Sequence, residues 1–279
     1  MRALLLLLLG STVAAPLAAQ APRLPDGTPF FLRKPEPPAD ALRAYREKPY
    51  RPVRPSEVRS AGFLLEDGAA PFGKALGPVT PSHIRSYGGT AVVAIGSEFA
   101  VTPPEGGSYA PGDTLTVAEV RQGPRGWGDI VTPTGMLVVA SRDDRQTVGR
   151  VVAIYGALRE GQAVYRTEPV ADPGRVTPVP AAGGPRGEVI ASLDPRELLQ
   201  PGGQLFIDLG AEDGMRVGDF VSIRRPVMAR NNAADTVDEP MATGQVVRSG
   251  RGSATVKLIN VIAPDIMPGT PVTRVATLP

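Results

Sequence analysis

Cysteine is absent from this chain of 279 residues, and histidine occurs once, as His83. Without thiols the chain cannot form disulfide bonds, thiolate metal sites or a lipid anchor on an N-terminal cysteine. A single histidine excludes a multi-histidine metal site, and His83 has no nucleophile or carboxylate at a diagnostic spacing. The sequence therefore predicts no cofactor and no metal, and a fold stabilised by its buried core alone.

Aromatic residues are also scarce, with one Trp, six Tyr and seven Phe, whereas Gly and Pro number 32 and 31. This composition, rich in Val and Ala as well, favours small β-rich units over helical ones. The formal net charge is only +2. It gives no electrostatic reason to expect a nucleic acid as partner.

Long apolar runs are missing after the first residues. Met1 and Arg2 precede an unbroken run from Leu4 to Leu9, and small residues follow up to residue 21. This is the pattern of a signal peptide over residues 1–21, with cleavage after Ala21 as one option. The run is too short to cross a bilayer. We therefore expect export to the periplasm or cell envelope and no integral membrane segment after cleavage.

What the chain does contain is an internal repeat. The segment Tyr109–Val117 has the pattern apolar-x-x-Gly-Asp followed by an alternating strand, and Met215–Ile223 repeats it 106 residues later. The match continues at an offset of 108 from Thr147 to Arg166, and Val92–Gly96 aligns with Phe206–Gly210. A repeat of this length predicts two copies of one small fold.

Proline-rich stretches divide the chain. Residues 22–59 form a Pro-rich arm with a local excess of basic residues, and residues 167–186 form a Pro/Gly-rich linker. They separate two predicted domains, 60–166 and 187–279. The arm is interpreted either as a solvated tether or as a docking segment for an acidic surface.

Short strand signals fill both domains. In the first copy they cover residues 91–95, 114–117, 136–140, 148–154 and 163–165; in the second, residues 188–191, 205–209, 220–223, 244–248, 254–261 and 272–275. Short helices are predicted at 39–48 and 194–199, with a turn at 81–84. Five or six short strands avoid exposed edges by closing. The predicted fold class is all-β: two tandem small β-barrel domains related by internal duplication, preceded by a signal peptide and a Pro-rich arm.

Residues that occur in both copies are expected to be architectural. Gly112 and Asp113 match Gly218 and Asp219. A glycine in a tight turn, followed by an aspartate that caps the backbone, starts the next strand in a fixed direction. These four residues are predicted to be structural turns.

Carboxylate pairs are the remaining catalytic option, because glycoside hydrolysis uses two carboxylates across a cleft. The candidates are Asp143–Asp144, Glu212–Asp213 and the segment 235–239. All lie in loops rich in Gly, Asn or Arg, where aspartate is common for turn geometry. No catalytic residue is assigned, and the chain is predicted not to be an enzyme.

Trp127 is the most suggestive candidate for a ligand contact. It lies between glycines in an inter-strand loop with Arg125 nearby. It is interpreted either as a cap at the bottom of a barrel or as a platform on which a sugar ring stacks. Arg230 and Asn231, in the longest loop of the second copy, are the other candidate contacts.

These patterns resemble a known group of modules. The segment 205–220, then Ala242–Val247 and Ile266–Gly269, resembles the β-barrel region that follows the LysM domain in bacterial envelope proteins. It is also similar to the C-terminal domain of an accessory protein of the flagellar H ring. The resemblance covers residues 60–166 and 187–276. No LysM-like segment is present, and the Pro-rich arm takes its place.

The resemblance implies a non-catalytic protein of the cell envelope. The leading hypothesis is an exported scaffold or binding module associated with peptidoglycan or the outer membrane, its partner being peptidoglycan or another envelope protein. One alternative is a carbohydrate-active module or weak hydrolase with a carboxylate pair beside Trp127. Another is a flagellar ring accessory protein, which would oligomerise.

Overall fold

The computed structural model describes residues 53–66, 68, 70–80, 92–142, 146–170, 176–181, 183–195, 198–226 and 240–278. All of these belong to one compact unit of the chain, residues 43–279. The predicted signal peptide, most of the Pro-rich arm and the predicted helix at 39–48 lie outside the described residues, as does the turn at 81–84 that contains His83.

Strands dominate the described chain. One short α-helix, α1 (Pro55–Ser60), comes first. The first sheet then contains β1 (Phe63–Leu65), β2 (Gly73–Pro78), β3 (Glu98–Thr102), β4 (Thr114–Arg121), β5 (Asp129–Arg142), β6 (Thr147–Ile154) and β7 (Ala163–Arg166). The second contains β8 (Val179–Pro180), β9 (Arg186–Ser192), β10 (Gln204–Ile207), β11 (Phe220–Arg224), β12 (Pro240–Ser249), β13 (Ala254–Val261) and β14 (Pro271–Thr277).

Each sheet closes on itself. The first runs β5-β4-β7-β2-β3-β6 and returns to β5, and the second runs β12-β11-β14-β9-β10-β13 and returns to β12. If β2 to β7 are matched in order with β9 to β14, all six pairings of one ring have a counterpart in the other. The predicted all-β fold with two small barrels is confirmed, and the shared pairing order supports the predicted duplication.

Each barrel also carries one strand outside its ring, and these two strands differ. In the first barrel β1 pairs with β5, where Phe63 lies opposite Val131. In the second, β8 pairs with β14, where Pro180 lies opposite Ala276. The added strand therefore extends a different part of the ring in each copy.

Alternating side chains fill the two barrels. The first core contains Ala75, Phe99, Val101, Tyr109, Leu115, Val117, Leu137, Val139, Val151, Leu158 and Val164. The second contains Val189, Leu205, Ile207, Leu209, Met215, Val221, Ile223, Met241, Ala242, Val246, Ala254, Val256, Leu258, Val261, Ile266 and Val272. Residues from every strand of each ring meet inside it, as expected for barrels of this size.

The constant offset of 108 is wrong for β6. Gly149 pairs with Val139, and Val256 pairs with Val246. Val139 and Val246 also make the same hydrogen bond, from their backbone N–H to the carbonyl of the Asp in the Gly-Asp turn. Gly149 thus corresponds to Val256, an offset of 107. The alignment by residue type is therefore shifted by one position from the structural match. Consecutive side chains of a strand point to opposite faces, so the shift exchanges the two faces of β6.

The strand predicted at residues 91–95 is also wrong. Residues 92–94 have no regular structure and Ile95 begins a turn with Gly96, and Val92 and Ile95 are 45% and 68% exposed. Phe99 and Val101 occupy the core positions instead, in β3. The apolar run was mistaken for a strand because periodicity does not distinguish an exposed apolar turn from a buried strand. Consequently β3 corresponds to β10, and the alignment of Val92–Gly96 with Phe206–Gly210 does not hold.

The helix predicted at residues 194–199 does not form in the described part of that segment. Residues 194 and 195 lie in a bend and a turn, and residues 198–200 have no regular structure. The local signal was a cap followed by proline, which fits a turn as well as a helix start.

Candidate functional site

The two Gly-Asp turns have the same geometry. Gly112 and Gly218 have φ values of 90° and 99°, a region in which only glycine is unstrained. In each turn the Asp side chain accepts a hydrogen bond from the backbone N–H three residues earlier, at 2.9 Å for Asp113 and 3.0 Å for Asp219. These residues shape the entry of β4 and β11 and present no free functional group at a surface site.

Asp219 differs from Asp113 in its surroundings. Its side chain is fully buried, whereas that of Asp113 is 27% exposed. Asp219 lies 3.5 Å from the guanidinium of Arg274 and accepts a hydrogen bond from Thr277 at 2.7 Å. Asp113 makes the corresponding ion pair with Arg166 at 3.0 Å. A buried carboxylate is stable in its charged form only with such partners. Removing a partner should therefore destabilise the turn at Asp219 more than the turn at Asp113.

The segment of residues 61–66, which we call the joint segment, contacts both barrels and holds them together non-covalently. It contains β1, which belongs by its backbone pairing to the first barrel. Gly62 nevertheless donates its backbone N–H to Gln204 Oε1 at 3.0 Å, and its carbonyl accepts a hydrogen bond from Thr255 Oγ1 at 2.6 Å. Both partners belong to the second barrel.

Glu66, at the end of the joint segment, holds a hairpin of the second barrel. Its carboxylate accepts backbone N–H groups from Gly252 and Ser253, both at 2.8 Å, and the hydroxyl of Ser253 at 2.5 Å. Partial burial raises the pKa of Glu66, but the hydrogen bonds from Ser253 and Gly252 outweigh this and keep the pKa below its ordinary value. The carboxylate is therefore held in its charged form.

Helix α1 packs on the second barrel as well. Lys257 Nζ donates to Glu57 Oε1 at 2.6 Å, and Val53 and Ala61 are buried with Val247. Burial raises the pKa of Glu57, but the bond from Lys257 and other favourable contacts outweigh it, so the pKa lies below the ordinary value. The end of the predicted arm, from residue 53, is thus part of the folded body.

Trp127 lies at this same junction. The half-buried indole packs with a cluster that contains Leu64 and Ile130 from the first barrel and Ile190 and Phe206 from the second. The two interpretations made from the sequence, a cap at the bottom of a barrel and a platform for a sugar ring, did not include the second barrel. The tip of the β4–β5 hairpin packs against that barrel through Trp127.

Of the other three predicted contact residues, only Arg125 lies in the described part of the chain. Arg125 is exposed in the same hairpin tip as Trp127. Arg230 and Asn231 lie outside the described residues. The described residues therefore place two of the four predicted contact residues, Trp127 and Arg125, in one hairpin tip.

A cleft of about 610 Å³ lies beside the joint segment. Its walls include Phe63 and Tyr165, whose rings meet edge to face with centroids 6.2 Å apart. The guanidinium carbon of Arg248 lies 3.7 Å from the centre of the Phe63 ring, a cation–π geometry. Burial raises the pKa of Tyr165, an effect that the charge of Arg248 partly offsets. Clefts between domains are common places for ligands.

Positive charge prevails in this cleft. Arg59, Arg248 and Arg251 line it together with Glu66 and Glu168. Glu66 is engaged by the hairpin, and Glu168 is 83% exposed and 3.9 Å from Arg248. Such an exposed, distant pair contributes little. The cleft therefore combines aromatic rings with arginines, which suits a ligand that carries carboxylates.

The described residues contain no group of three or more His, Asp and Glu side chains placed to hold a metal ion. Of the predicted carboxylate pairs, Asp213 accepts the backbone N–H of Gly210 at 2.9 Å, and Glu212 lies 3.8 Å from Arg251. Asp213 is thus a turn cap. The pairs at 143–144 and 235–239 fall outside the described residues, as does His83.

Sequence reasoning missed the cleft because its members are distant in the chain. Phe63, Tyr165 and Arg248 follow no common motif, and each lies in an ordinary strand or at its end. The one available signal is the short apolar run Phe63–Leu65 just after the Pro-rich arm, and nothing in it indicates a contact with the second domain.

Within the described residues, no helix has the length and apolar character that a membrane crossing requires. Comparison with known proteins found no matching family model, no matching curated protein and no matching solved structure.

Proposed function

We propose that this protein is a non-catalytic, exported protein of the cell envelope that acts as a binding module or scaffold associated with peptidoglycan or the outer membrane. The observation that carries the proposal is the cleft at the junction of the two barrels, with its arginines and aromatic rings. The sequence-based signs of export, and the resemblance to barrels of envelope proteins, agree with it.

Binding is favoured over catalysis by the way the described carboxylates are used. Glu66, Asp113, Asp213 and Asp219 all accept backbone N–H groups in turns or hairpins. Carboxylates that act in glycoside hydrolysis face each other across a substrate cleft. These four instead serve the fold, so the hydrolase alternative gains no support from them.

Peptidoglycan is the ligand whose chemistry fits the cleft. The polymer carries free carboxylates on its peptide stems, next to sugar rings. Arginines bind carboxylates through paired hydrogen bonds, and aromatic faces contact sugar rings. Arg59 Nε adds a further argument, because it is buried without a hydrogen-bond partner among the described residues, and such donors require one.

The test is sedimentation of the chain from residue 22 with purified peptidoglycan sacculi, measured at low and moderate salt. Arg59→Gln and Arg248→Gln should each raise the Kd by roughly tenfold, equivalent to about 1.4 kcal/mol. Arg150→Gln removes the same charge from an exposed position in β6 and serves as the control. Thermal unfolding of each variant verifies that it is folded.

Saturable binding that the two cleft variants weaken and the control leaves intact would support the proposal. If the unaltered chain stays in the supernatant at both salt concentrations, the assignment to the wall is wrong. Equal losses in all three variants would show charge attraction without a site.

A further inference from the structure

The contact between the two barrels uses a hairpin of one barrel and a face of the other. The β4–β5 hairpin of the first barrel supplies Trp127 and Ile130, which pack with Ile190 of β9. From the same hairpin, Arg121 donates a hydrogen bond to the backbone carbonyl of Leu193. The docking face on the second barrel is thus formed by β9, the residues just after it, and β10.

The first barrel carries the corresponding face. At a register shift in the pairing of β2 with β3, Leu76 has no partner. Ile190 has none at a register shift in the pairing of β9 with β10, so the same irregularity occurs in both barrels. Leu76 therefore corresponds to Ile190, and Val79, three residues later, corresponds to Leu193. We call Leu76, Val79 and their surroundings the β2 face.

The β2 face is open. Leu76 and Val79 are 39% and 42% exposed, whereas Ile190 is only 9% exposed beneath the hairpin. The neighbouring Ala100 takes the place of Phe206, so the surface differs in detail. Exposed apolar patches on a soluble barrel mark interaction surfaces. The matching face of the second barrel binds the hairpin of the barrel that precedes it in the chain. By the repeat, we expect the β2 face to bind a hairpin of the same kind.

In the second barrel the connection between β11 and β12 occupies the corresponding place in the chain. Ala118 pairs with Pro133 and Arg224 pairs with Pro240, each just after a register shift, so Pro133 corresponds to Pro240. The tip segments, residues 119–132 and 225–239, have nearly equal length. The second contains apolar residues, among them Val227, Met228 and Val237.

We propose that residues 225–239 of one copy of this chain dock on the β2 face of a second copy, repeating between chains the contact that joins the barrels within each chain. The hairpin is in the second barrel and the face is in the first, so the contact is head-to-tail. Such a contact continues into a filament or closes into a ring. The joint segment reinforces only the contact within a chain, so the contact between chains is the weaker one.

Sedimentation velocity of the chain from residue 22, over a wide range of concentrations, tests the proposal. The mass should rise with concentration. A face variant, Leu76→Asp with Val79→Asp, and a tip variant, Val227→Asp with Met228→Asp, should each weaken association by roughly tenfold or more. The control is Ile154→Asp, at a site of similar exposure (38%) in β6, which should associate like the unaltered chain.

Mixing the two variants provides the sharper result. The face variant has an intact tip and the tip variant an intact face, so an equimolar mixture should form 1:1 dimers that do not grow. A monomeric unaltered chain at all concentrations would overturn the proposal, as would variants that associate normally or a mixture that forms no dimer. These readouts do not depend on peptidoglycan binding, so either proposal can fail alone.

Discussion

Glu66 accepts hydrogen bonds from both the backbone N–H and the hydroxyl of Ser253, a residue 187 positions further along the chain. The first residue belongs to the joint segment and the second to a hairpin of the second barrel. This contact therefore couples the two barrels directly. Removing it should destabilise the junction without disturbing either core. We expect Glu66→Ala to lower the free energy of unfolding by about 2 kcal/mol, the scale of hydrogen bonds to a charged group.

The pH dependence of stability should contain a contribution from the same group. The folded-state pKa of Glu66 lies below the ordinary value of 4.5, and so does that of Glu57. Groups of this kind stabilise the fold above about pH 4.5, and the contribution is lost as pH falls through the lower, folded pKa. Urea unfolding at pH 7 and at about pH 3.5 should show a smaller acid loss for Glu66→Gln than for the unaltered chain. An identical acid loss in both would contradict the role given to Glu66.

The two turn glycines should respond unequally to alanine. Both have positive φ, which costs a non-glycine residue about 1–2 kcal/mol. At Gly112 a Cβ would meet no atom within 4 Å, whereas at Gly218 it would lie 2.2 Å from Leu278 Cδ1. Gly218→Ala should therefore destabilise the protein more than Gly112→Ala, as measured by thermal unfolding. Equal costs would mean that Leu278 moves aside freely.

The two turn aspartates form a second matched pair. Asp219 is fully buried, whereas its partner Arg274 is 21% exposed, so Asp219→Ala removes the buried member of the pair and its hydrogen bonds. Losing hydrogen bonds to a buried charged group should cost about 2–3 kcal/mol. Asp113 is partly exposed, so Asp113→Ala should cost about 1 kcal/mol, the scale of a lost backbone cap. Chemical denaturation of both variants measures the difference. The assignment of Asp219 as a buried ion-pair partner would be refuted by the reverse order.

Trp127 is the only tryptophan, so its emission reports on the junction of the barrels. Ile190→Asp places a charge in the cluster around the indole and should shift the emission to longer wavelength because water enters. Ile154→Asp is the exposed control and should leave the emission unchanged. A shift in the control, or none in the Ile190 variant, would mean that the indole does not sense this contact.

Local patterns were enough to predict part of this molecule. The Gly-Asp turns, the strands that follow them and the closure of each copy all derive from short-range rules, since glycine and aspartate determine a turn within a few residues. The fold class was therefore accessible from the sequence. The register was not accessible. An offset of 108 matches the residue types of β6 and β13 as well as the structural offset of 107 does, but it places the wrong face inward.

The candidate site was inaccessible for a different reason. The cleft forms where Phe63, Tyr165 and Arg248 meet, and no local rule relates positions so far apart. Trp127 was recognised as unusual, but its surroundings depend on the second barrel. Its neighbours Ile190 and Phe206 have no motif in common with it, so only the assembled fold reveals the contact.

The joint segment also constrains the order in which the molecule is completed. Its residues emerge early in synthesis, yet Gln204, Ser253 and Thr255 are made much later. The first barrel has all six strands of its ring by residue 166, whereas the joint must wait until the second barrel exists. Domains generally fold as units, from the N-terminal one onward. We expect a chain that ends after the linker to retain a closed first barrel with Glu66 exposed to water, so the closed joint requires both barrels.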